Sequence, residues 1–203
     1  MSIIIAGIHT CIGKTICSAI ICQAIGYDYW KPVQAGDLEN SDSVFIRKNV
    51  TNPACCIHPE RYKLNMPASP HYAAAQDKIE IKPADFILPK TNNQLVIETA
   101  GGIMGPLAKS FLNIDLMQQF NLPVVLVSNN YLGSINHTLL TVNVLQQRNI
   151  LIHGLVFSGQ VVDSTREFIL EHTQLPLLFS IPFFEKIDSS TIADFAKTVS
   201  INL

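Results

Sequence analysis

A glycine, a lysine and a threonine stand together where an apolar run gives way to a helical pattern. They are Gly13-Lys14-Thr15, preceded by the apolar residues 2–6 and followed by residues 16–22, which predict a buried helix. Glycine lets the backbone approach an oxyanion, and the free N–H groups of a helix start attract negative charge. A lysine at this point reaches terminal phosphates, and a threonine hydroxyl binds magnesium. The segment predicts a phosphate-binding loop, whose contacts are Thr10, Cys11, Ile12, Gly13, Lys14 and Thr15.

The spacing of the glycines departs from that of the usual phosphate loop. The usual loop has four residues between its two glycines, whereas five residues separate Gly7 from Gly13. An ordinary strand-to-helix turn with an exposed lysine is the alternative. The predicted strand before the loop and the predicted helix after it favour the phosphate site.

Three charged residues occupy the ends of other predicted elements. Lys31 lies near the end of a predicted strand, Asp42 opens a predicted helix, and Glu98 leads from a buried strand into a glycine-rich loop. A carboxylate beside buried apolar residues needs a cation or hydrogen-bond donors. Thr15, Asp42 and Glu98 carry the hard oxygen ligands that magnesium prefers, and together they predict a metal site. A solvated strand end for Lys31 and plain helix capping by Asp42 remain alternatives.

A second helix start follows the predicted strand over residues 123–128. Its free N–H groups and its dipole offer another anion site. An ordinary capped helix explains the same segment equally well. The residues concerned are Gly133, Ser134, Ile135 and Asn136.

Short apolar runs without polar alternation predict strands buried on both faces, and the longer mixed segments between them predict helices. The predicted strands are residues 2–6, 29–33, 94–98, 123–128, 154–157 and 177–181. The predicted helices are residues 14–24, 42–48, 68–75, 115–119, 135–148, 164–172 and 191–199, the last capped by Ser189-Ser190. This alternation predicts the α/β class, a doubly wound, mostly parallel sheet with helices on both faces, as in P-loop NTPases. The loops that carry the charged residues then meet at the carboxyl edge of the sheet.

Composition narrows the class of protein further. The chain has 203 residues, 48% hydrophobic and 15% charged, with a net charge of −2, which excludes a disordered chain and predicts one domain over residues 1–203. No block of like charge predicts nucleic-acid binding, and no apolar run has the ~18 residues that predict a membrane span. Five cysteines without a C-x-x-C pair indicate reduced thiols and a cytoplasmic protein.

These segments, taken in order, are similar to those of the dethiobiotin synthetases, the ATP-dependent ring-closing enzymes of biotin synthesis. The phosphate loop of that family has the same five-residue spacing, so the departure noted above supports the resemblance. The ordered match spans nearly the whole chain. It continues through Lys31-Pro32-Val33, Asn40-Ser41-Asp42, residues 67–71, Glu98 with Ala100-Gly101-Gly102, Leu132-Gly133 with Ile135-Asn136-His137, and Ile181-Pro182.

The resemblance implies a homodimer that binds 7,8-diaminononanoate, carbon dioxide (or bicarbonate) and ATP, with Mg²⁺ as cofactor. One amine becomes a carbamate, whose oxygen attacks the γ-phosphate to give a carbamic-phosphoric anhydride. The second amine closes the cyclic urea and releases phosphate. By the same resemblance, Lys14 and Lys31 are catalytic and stabilise the transferring phosphoryl group and the carbamate. The implied magnesium ligands are Thr15, Asp42 and Glu98.

The resemblance also implies how the remaining parts of the substrates are held. Lys31 and Ala35 would contact the diamine, and the helix start at Gly133, Ser134, Ile135 and Asn136 would receive its tail carboxylate across the dimer interface. The nucleotide would further contact Ser158, Pro182 and Glu185.

Several positions depart from the family pattern. His9 stands where Asp is usual, Cys11 where Glu is frequent, and Ala35 where Ser is common. Ser158 replaces an Asn that reads the adenine edge. Since a hydroxyl cannot pair with two atoms of the base at once, this replacement predicts looser discrimination between nucleotides.

The alternative function is that of a P-loop ATPase switch of the partition or iron-protein type. Such proteins carry an early lysine in the loop, at the place of His9 here, and their membrane-bound members end in a basic helix. Residues 195–203 contain only Lys197 as a basic residue, so both features count against the switch. A small-molecule kinase or an amidotransferase-associated synthetase of the same fold is a third alternative, and a pseudoenzyme is a fourth.

Overall fold

The computed structural model describes residues 1–160 and 162–201. Its strands, in chain order, are β1 (Ile3–Gly7), β2 (Asp28–Trp30), β3 (Val33–Ala35), β4 (Ile57–His58), β5 (Tyr62–Leu64), β6 (Leu95–Gly102), β7 (Pro106–Ala108), β8 (Phe111–Leu112), β9 (Val124–Asn129), β10 (Ile152–Ser158) and β11 (Leu177–Ile181). Its helices are α1 (Lys14–Ile25), α2 (Asp42–Asn49), α3 (Pro70–Gln76), α4 (Asn113–Phe120), α5 (Ser134–Gln147), α6 (Asp163–Thr173) and α7 (Ser189–Ala196), with short 3₁₀ turns at Leu38–Asn40 and Pro83–Asp85.

Seven of the described strands form one sheet in the order β11-β10-β9-β1-β6-β2-β4, and every neighbouring pair is parallel. Two small sheets accompany it, a parallel pair of β3 and β5 and an antiparallel pair of β7 and β8. The predicted doubly wound, mostly parallel α/β sheet is confirmed. The loop predicted to bind phosphate and the loops predicted to bind metal therefore lie at the carboxyl edge of this sheet.

Alternation along β1 shows how the sheet is covered on both faces. Ile3 and Ile5 belong to one apolar cluster, which α1 and α7 complete. Ile4 and Ala6 belong to a second cluster, which α4, α5 and α6 complete on the opposite face. A third, smaller cluster joins the β3–β5 pair to α3 and the β7–β8 pair. Burial on both faces accounts for strands without polar alternation.

The prediction of one continuous strand over residues 29–33 is wrong, because the structure has two separate strands there. The chain forms β2 up to Trp30, leaves the main sheet, and then forms β3 beside β5. Pro32 lies at the break, and because proline has no N–H it cannot donate to a continuing ladder. The short strands β4, β5, β7 and β8 were not predicted, since two or three residues carry too little pattern to detect.

Two of the predicted helices also differ from the structure at their ends. Helix α3 begins at Pro70 instead of residue 68, because a residue before proline is held out of the helical region and Ser69 is the cap. The last helix is capped by Asp188, not by Ser189-Ser190, since the Asp188 carboxylate accepts from the Thr191 N–H at 3.0 Å. That helix ends at Ala196 instead of residue 199.

The five cysteines are free thiols, and Cys17 and Cys22 are buried, as their place in the core-facing part of α1 predicts. In the described ranges, no helix combines the length and the apolar character that crossing a membrane would require.

Candidate active site

Loops at the carboxyl edge of the sheet bring the predicted charged residues together. Lys14 and Thr15 open α1 directly after the loop that follows β1. Lys31 lies between β2 and β3, and Asp42 opens α2 behind the cap Ser41. Glu98 lies in the interior of β6, which continues to Gly102, so the expectation that its strand ends at Glu98 is wrong.

Glu98 is the centre of the resulting network. Its side chain is 1% exposed, and four side chains donate to its two oxygens. Oε1 accepts from Thr15 at 2.9 Å and from Lys31 at 3.1 Å. Oε2 accepts from Ser18 at 2.9 Å and from Tyr29 at 3.0 Å. The donors therefore supply the compensation that a carboxylate buried in an apolar strand requires.

Asp42 faces the same point from the opposite side of the cleft. One carboxylate oxygen lies 2.8 Å from the Thr15 hydroxyl and shares its single proton with Glu98 Oε1, and the other oxygen accepts from the Lys31 ammonium. The backbone N–H of Asp42 points to the Gln34 side-chain oxygen at 3.4 Å. The Lys14 ammonium turns away from both carboxylates and donates to the His9 carbonyl at 3.0 Å.

The electrostatics of the cleft follow from these contacts. Burial lowers the pKa of Lys14 below its ordinary value, although the attraction of Glu98 opposes this shift. Burial also acts to lower the pKa of Lys31, but Glu98 and Asp42 outweigh it, so that this pKa lies above its usual range. Burial acts to raise the pKa of Asp42, and Lys31 outweighs it, so that this pKa is lowered. Lys31 and Asp42 are thus held in their charged forms.

The oxygens of this cluster fit a magnesium ion. Adjacent ligand oxygens around octahedral magnesium lie about 2.9–3.0 Å apart, since each metal–oxygen bond is about 2.0–2.1 Å. Thr15 Oγ1 lies 2.8 Å from Asp42 Oδ1 and 2.9 Å from Glu98 Oε1. Within the described ranges no three His, Cys, Asp or Glu side chains gather around one point, so two carboxylates and a hydroxyl form only part of a shell. Water and phosphate oxygens usually complete the shell of magnesium.

A cavity of about 850 Å³ contains this cluster. The loop residues predicted to contact phosphate, both lysines predicted to be catalytic, the three predicted metal ligands and Ala35 all line it. Gly13 has φ +96° within that loop, and a Cβ there would lie 2.2 Å from the Ser158 hydroxyl, so only glycine fits. The opposite wall comes from residues 67–70.

Other predicted nucleotide contacts are placed differently. Pro182 lines a second cavity of about 630 Å³, together with Gly159, Gln160, Ser180 and Phe183. Ser158 is buried beneath Gly13 and does not line this second cavity. Glu185 is exposed and lines neither cavity. The three residues predicted to contact the nucleotide, Ser158, Pro182 and Glu185, therefore do not line one common cavity.

The predicted second anion site lies away from the cleft. Gly133 caps α5 with φ +98°, and Ser134 is buried at the first helical position. None of the residues from Gly133 to Asn136 lines either of the two cavities described above. A role for them in this cleft would need a second copy of the chain.

Sequence reasoning missed the residues that hold the carboxylates in place. Ser18 lies one helical turn after Lys14 and Thr15 on α1, so helical spacing indicates that it faces the same way. Tyr29 had been assigned only to a buried strand, and the reach of its phenol to Glu98 depends on the packing of β2 beside β6. Gln34, whose side-chain oxygen faces the Asp42 N–H, has no spacing or pattern in the sequence that indicates this contact.

The parallel sheet and the Gly13-Lys14-Thr15 loop that opens α1 define a P-loop α/β protein. A family described as "AAA domain" matches residues 1–191. A ParA family ATPase from Chlorobium tepidum has a TM-score of 0.59 with 12% identity, covering 97% of both chains. A chain of the MinC:MinD cell division protein complex from Aquifex aeolicus has a TM-score of 0.57 with 15% identity, covering 100% of this chain and 97% of that chain. At these identities the likeness concerns the fold alone.

Sequence relatives define the family more narrowly. The ATP-dependent dethiobiotin synthetase of Cytophaga hutchinsonii is 46% identical over 95% of this chain and 93% of its own length. The enzyme of the same name from Chlamydia pneumoniae is 41% identical over 96% of this chain and 87% of its own length. The enzyme of the same name from Brucella ovis is 36% identical over 98% of this chain and 95% of its own length. The chain belongs to the ATP-dependent dethiobiotin synthetase family.

Proposed function

We propose that this chain closes the cyclic urea of dethiobiotin from 7,8-diaminononanoate, carbon dioxide and ATP, yielding ADP and phosphate. The observation that carries the proposal is the meeting of Lys14, Lys31, Thr15, Asp42 and Glu98 in one cavity of about 850 Å³. Two cations, two carboxylates and a phosphate loop in one cleft suit the transfer of a phosphoryl group to an anionic acceptor.

In this reaction the chain's main task is to position charged substrate groups, and no side chain has to act as a nucleophile. A carbamate formed on one amine of the substrate is itself the nucleophile, so no protein nucleophile is needed. Lys14 would leave the His9 carbonyl and hold the γ-phosphate, where charge develops during transfer. Lys31 would hold the carbamate oxygen close to the phosphorus. The second amine then attacks the carbamate carbonyl, the C–O bond to phosphate breaks, and the ring closes.

Magnesium is the proposed cofactor, held by Thr15, Asp42 and Glu98. When bound, it neutralises phosphate charge and fixes the orientation of the phosphates. The residues themselves hold their oxygens at the spacing described above, and Lys31 lowers the pKa of Asp42 and so keeps that carboxylate ionised.

A homodimer in the cytoplasm is part of the proposal. Residues from Gly133 to Asn136 lie outside the cleft of their own chain, and the start of α5 offers free N–H groups to a carboxylate. In a dimer they would receive the tail carboxylate of a diamine bound in the partner's cleft. The cavity beside Pro182 and Phe183 would take the base of ATP.

The decisive experiment follows phosphate release with 7,8-diaminononanoate, bicarbonate and MgATP, and identifies the product by mass spectrometry. The proposal expects phosphate release only when the diamine is present, with dethiobiotin formed in equal amount. Release that is independent of the diamine would instead support an ATPase switch.

A further inference from the structure

The Lys31 ammonium occupies the place between the two carboxylates proposed to bind magnesium. Its Nζ donates to Asp42 Oδ2 and, over 3.1 Å, to Glu98 Oε1. The same Glu98 oxygen lies 2.9 Å from Thr15 Oγ1, at the spacing that suits neighbouring metal ligands. The ammonium and a metal ion would therefore share an oxygen of Glu98 and a carboxylate of Asp42.

Glu98 cannot follow Lys31 if the lysine moves. Ser18 and Tyr29 hold Oε2 from within the core, where Tyr29 is completely buried. Their two hydrogen bonds fix the plane of the carboxylate and leave Oε1 aimed at the cleft. The backbone of Asp42 is held at the start of α2, which Ser41 caps with a hydrogen bond from the Val44 N–H, and Thr15 keeps one of its carboxylate oxygens at the cleft.

Lys31, in contrast, has room to move. Its side chain is a flexible four-carbon stem, and the residue itself lines the cavity of about 850 Å³. A divalent cation between the carboxylates would repel an ammonium at hydrogen-bond distance from the same oxygens. Because Ser18 and Tyr29 hold Glu98 from the core, the lysine is the partner of Glu98 that moves away.

We propose that Lys31 is the resident counter-ion of the metal site and leaves the carboxylates when a divalent cation binds there. The inference rests on the proposed function of the cleft and adds a sequence of events, in which the metal binds before Lys31 becomes available to substrate. Without metal, Lys31 neutralises Asp42 and Glu98 and is unavailable to substrate. With metal, its ammonium is released into the cavity, where the carbamate is expected. Metal loading therefore prepares the lysine for its catalytic position.

Binding of Mn²⁺ alone, measured by electron paramagnetic resonance without nucleotide or diamine, tests the exchange. Lys31→Met removes the competing charge and should lower the dissociation constant for Mn²⁺ at least tenfold. Lys31→Arg keeps the charge and pairs more firmly with two carboxylates, so it should raise that constant at least threefold. Lys197→Met, which removes an exposed lysine paired with Asp194, is the matched control and should bind Mn²⁺ like the unaltered chain.

The unaltered chain provides a second readout, which holds even if Lys31→Met fails to fold. Reductive methylation of Lys31, followed by peptide mass spectrometry, should become several-fold faster when Mg²⁺ is added. The exposed Lys197 should react at the same rate with and without Mg²⁺.

The outcomes separate this inference from the function on which it rests. If the unaltered chain binds Mn²⁺ and Lys31→Met binds it no more tightly, the exchange is refuted while the metal site stands. Lys31 methylation that Mg²⁺ leaves unchanged refutes it as well. If neither the unaltered chain nor Lys31→Met binds Mn²⁺ at millimolar concentrations, the proposed metal site fails and the exchange fails with it.

Discussion

Glu98 shows at the scale of single residues how the cleft is organised. Its two oxygens have separate tasks, since Ser18 and Tyr29 hold one from the core while Thr15 and Lys31 meet the other in the cleft. A carboxylate held in this way keeps its orientation when its partners in the cleft change. Each hydrogen bond to a charged group contributes about 1.5–3 kcal/mol to the stability of this arrangement.

Tyr29→Phe tests the orientation of Glu98 without creating a cavity. The variant should need about tenfold more Mg²⁺ for half-maximal turnover, because one hydrogen bond to the charged Glu98 is lost. Turnover at saturating Mg²⁺ should change little. Tyr62→Phe, whose phenol donates to Asp85 outside the cleft, is the control and should leave the Mg²⁺ dependence unaltered. An unchanged Mg²⁺ requirement in Tyr29→Phe would show that Ser18 alone orients the carboxylate.

Lys14→Ala and Lys31→Ala test the two lysines assigned to phosphoryl transfer. Each should lower kcat by about 10²–10³, since removal of one group that stabilises transition-state charge commonly has this effect. Circular dichroism should show that both variants remain folded. Near-normal turnover in either variant would contradict the role assigned to that lysine.

How far the site could be predicted depends on the kind of signal. Lys14, Thr15 and Glu98 stand out because a charge or a GKT motif interrupts apolar strands and turns. Ser18 and Tyr29 lack such a signal, since a serine in a helix and a tyrosine in a strand are ordinary core residues. Their function depends on the distance between α1, β2 and β6, which only tertiary packing sets.

At the scale of elements, the loop between β1 and α1 depends on the strand two places away in the sheet. Gly13 adopts φ +96° directly above Ser158 at the end of β10. The strands themselves were predictable because apolar runs in a parallel sheet are continuous. The break at Pro32 and the strands β4 and β5 were not, because β4 pairs with β2 and β5 pairs with β3, and these partners lie far earlier in the chain.

Gly13→Ala should abolish nucleotide binding while leaving the sheet intact. A Cβ at this position would lie 2.2 Å from the Ser158 Oγ and 2.8 Å from its Cβ, so the loop must move. Ser158→Gly in the same chain should restore part of the binding, since it removes the clash but not the strain of a positive φ. Isothermal titration with ADP measures both variants. Wild-type affinity in Gly13→Ala alone would contradict the close approach.

Asp28 anchors the opposite, amino-terminal edge of the sheet. Its buried carboxylate accepts from the Cys56 N–H, Thr91 and Asn93 and pairs with His58. Burial acts to raise its pKa, but these hydrogen bonds outweigh it, so that the pKa is lowered. A lowered pKa in the folded state gives stability that is complete above about pH 4, the usual unfolded value, and is lost as the pH falls through the folded value.

Asp28→Asn should therefore lower the free energy of unfolding by about 1–3 kcal/mol at pH 7. The difference from the unaltered chain should shrink as the pH falls below about 4. Urea unfolding at several pH values measures it. Asp194→Asn, which removes an exposed pairing with Lys197, is the control and should have no measurable effect. A difference that is independent of pH would mean that the charge of Asp28 contributes nothing.

At the scale of the whole molecule, the proposed substrate site requires two chains. Leu140 is 57% exposed on α5, one turn beyond the exposed Asn136 of the second anion site, so both lie on the same face of the helix. Leu140→Glu should shift the sedimentation coefficient towards that of a monomer and raise the KM for the diamine at least tenfold. ADP binding should remain unchanged, because the phosphate loop lies within one chain. Ile87→Glu, at a residue 75% exposed in a loop away from α5, should change neither quantity. A Leu140→Glu dimer with an unaltered KM would place the interface on another face.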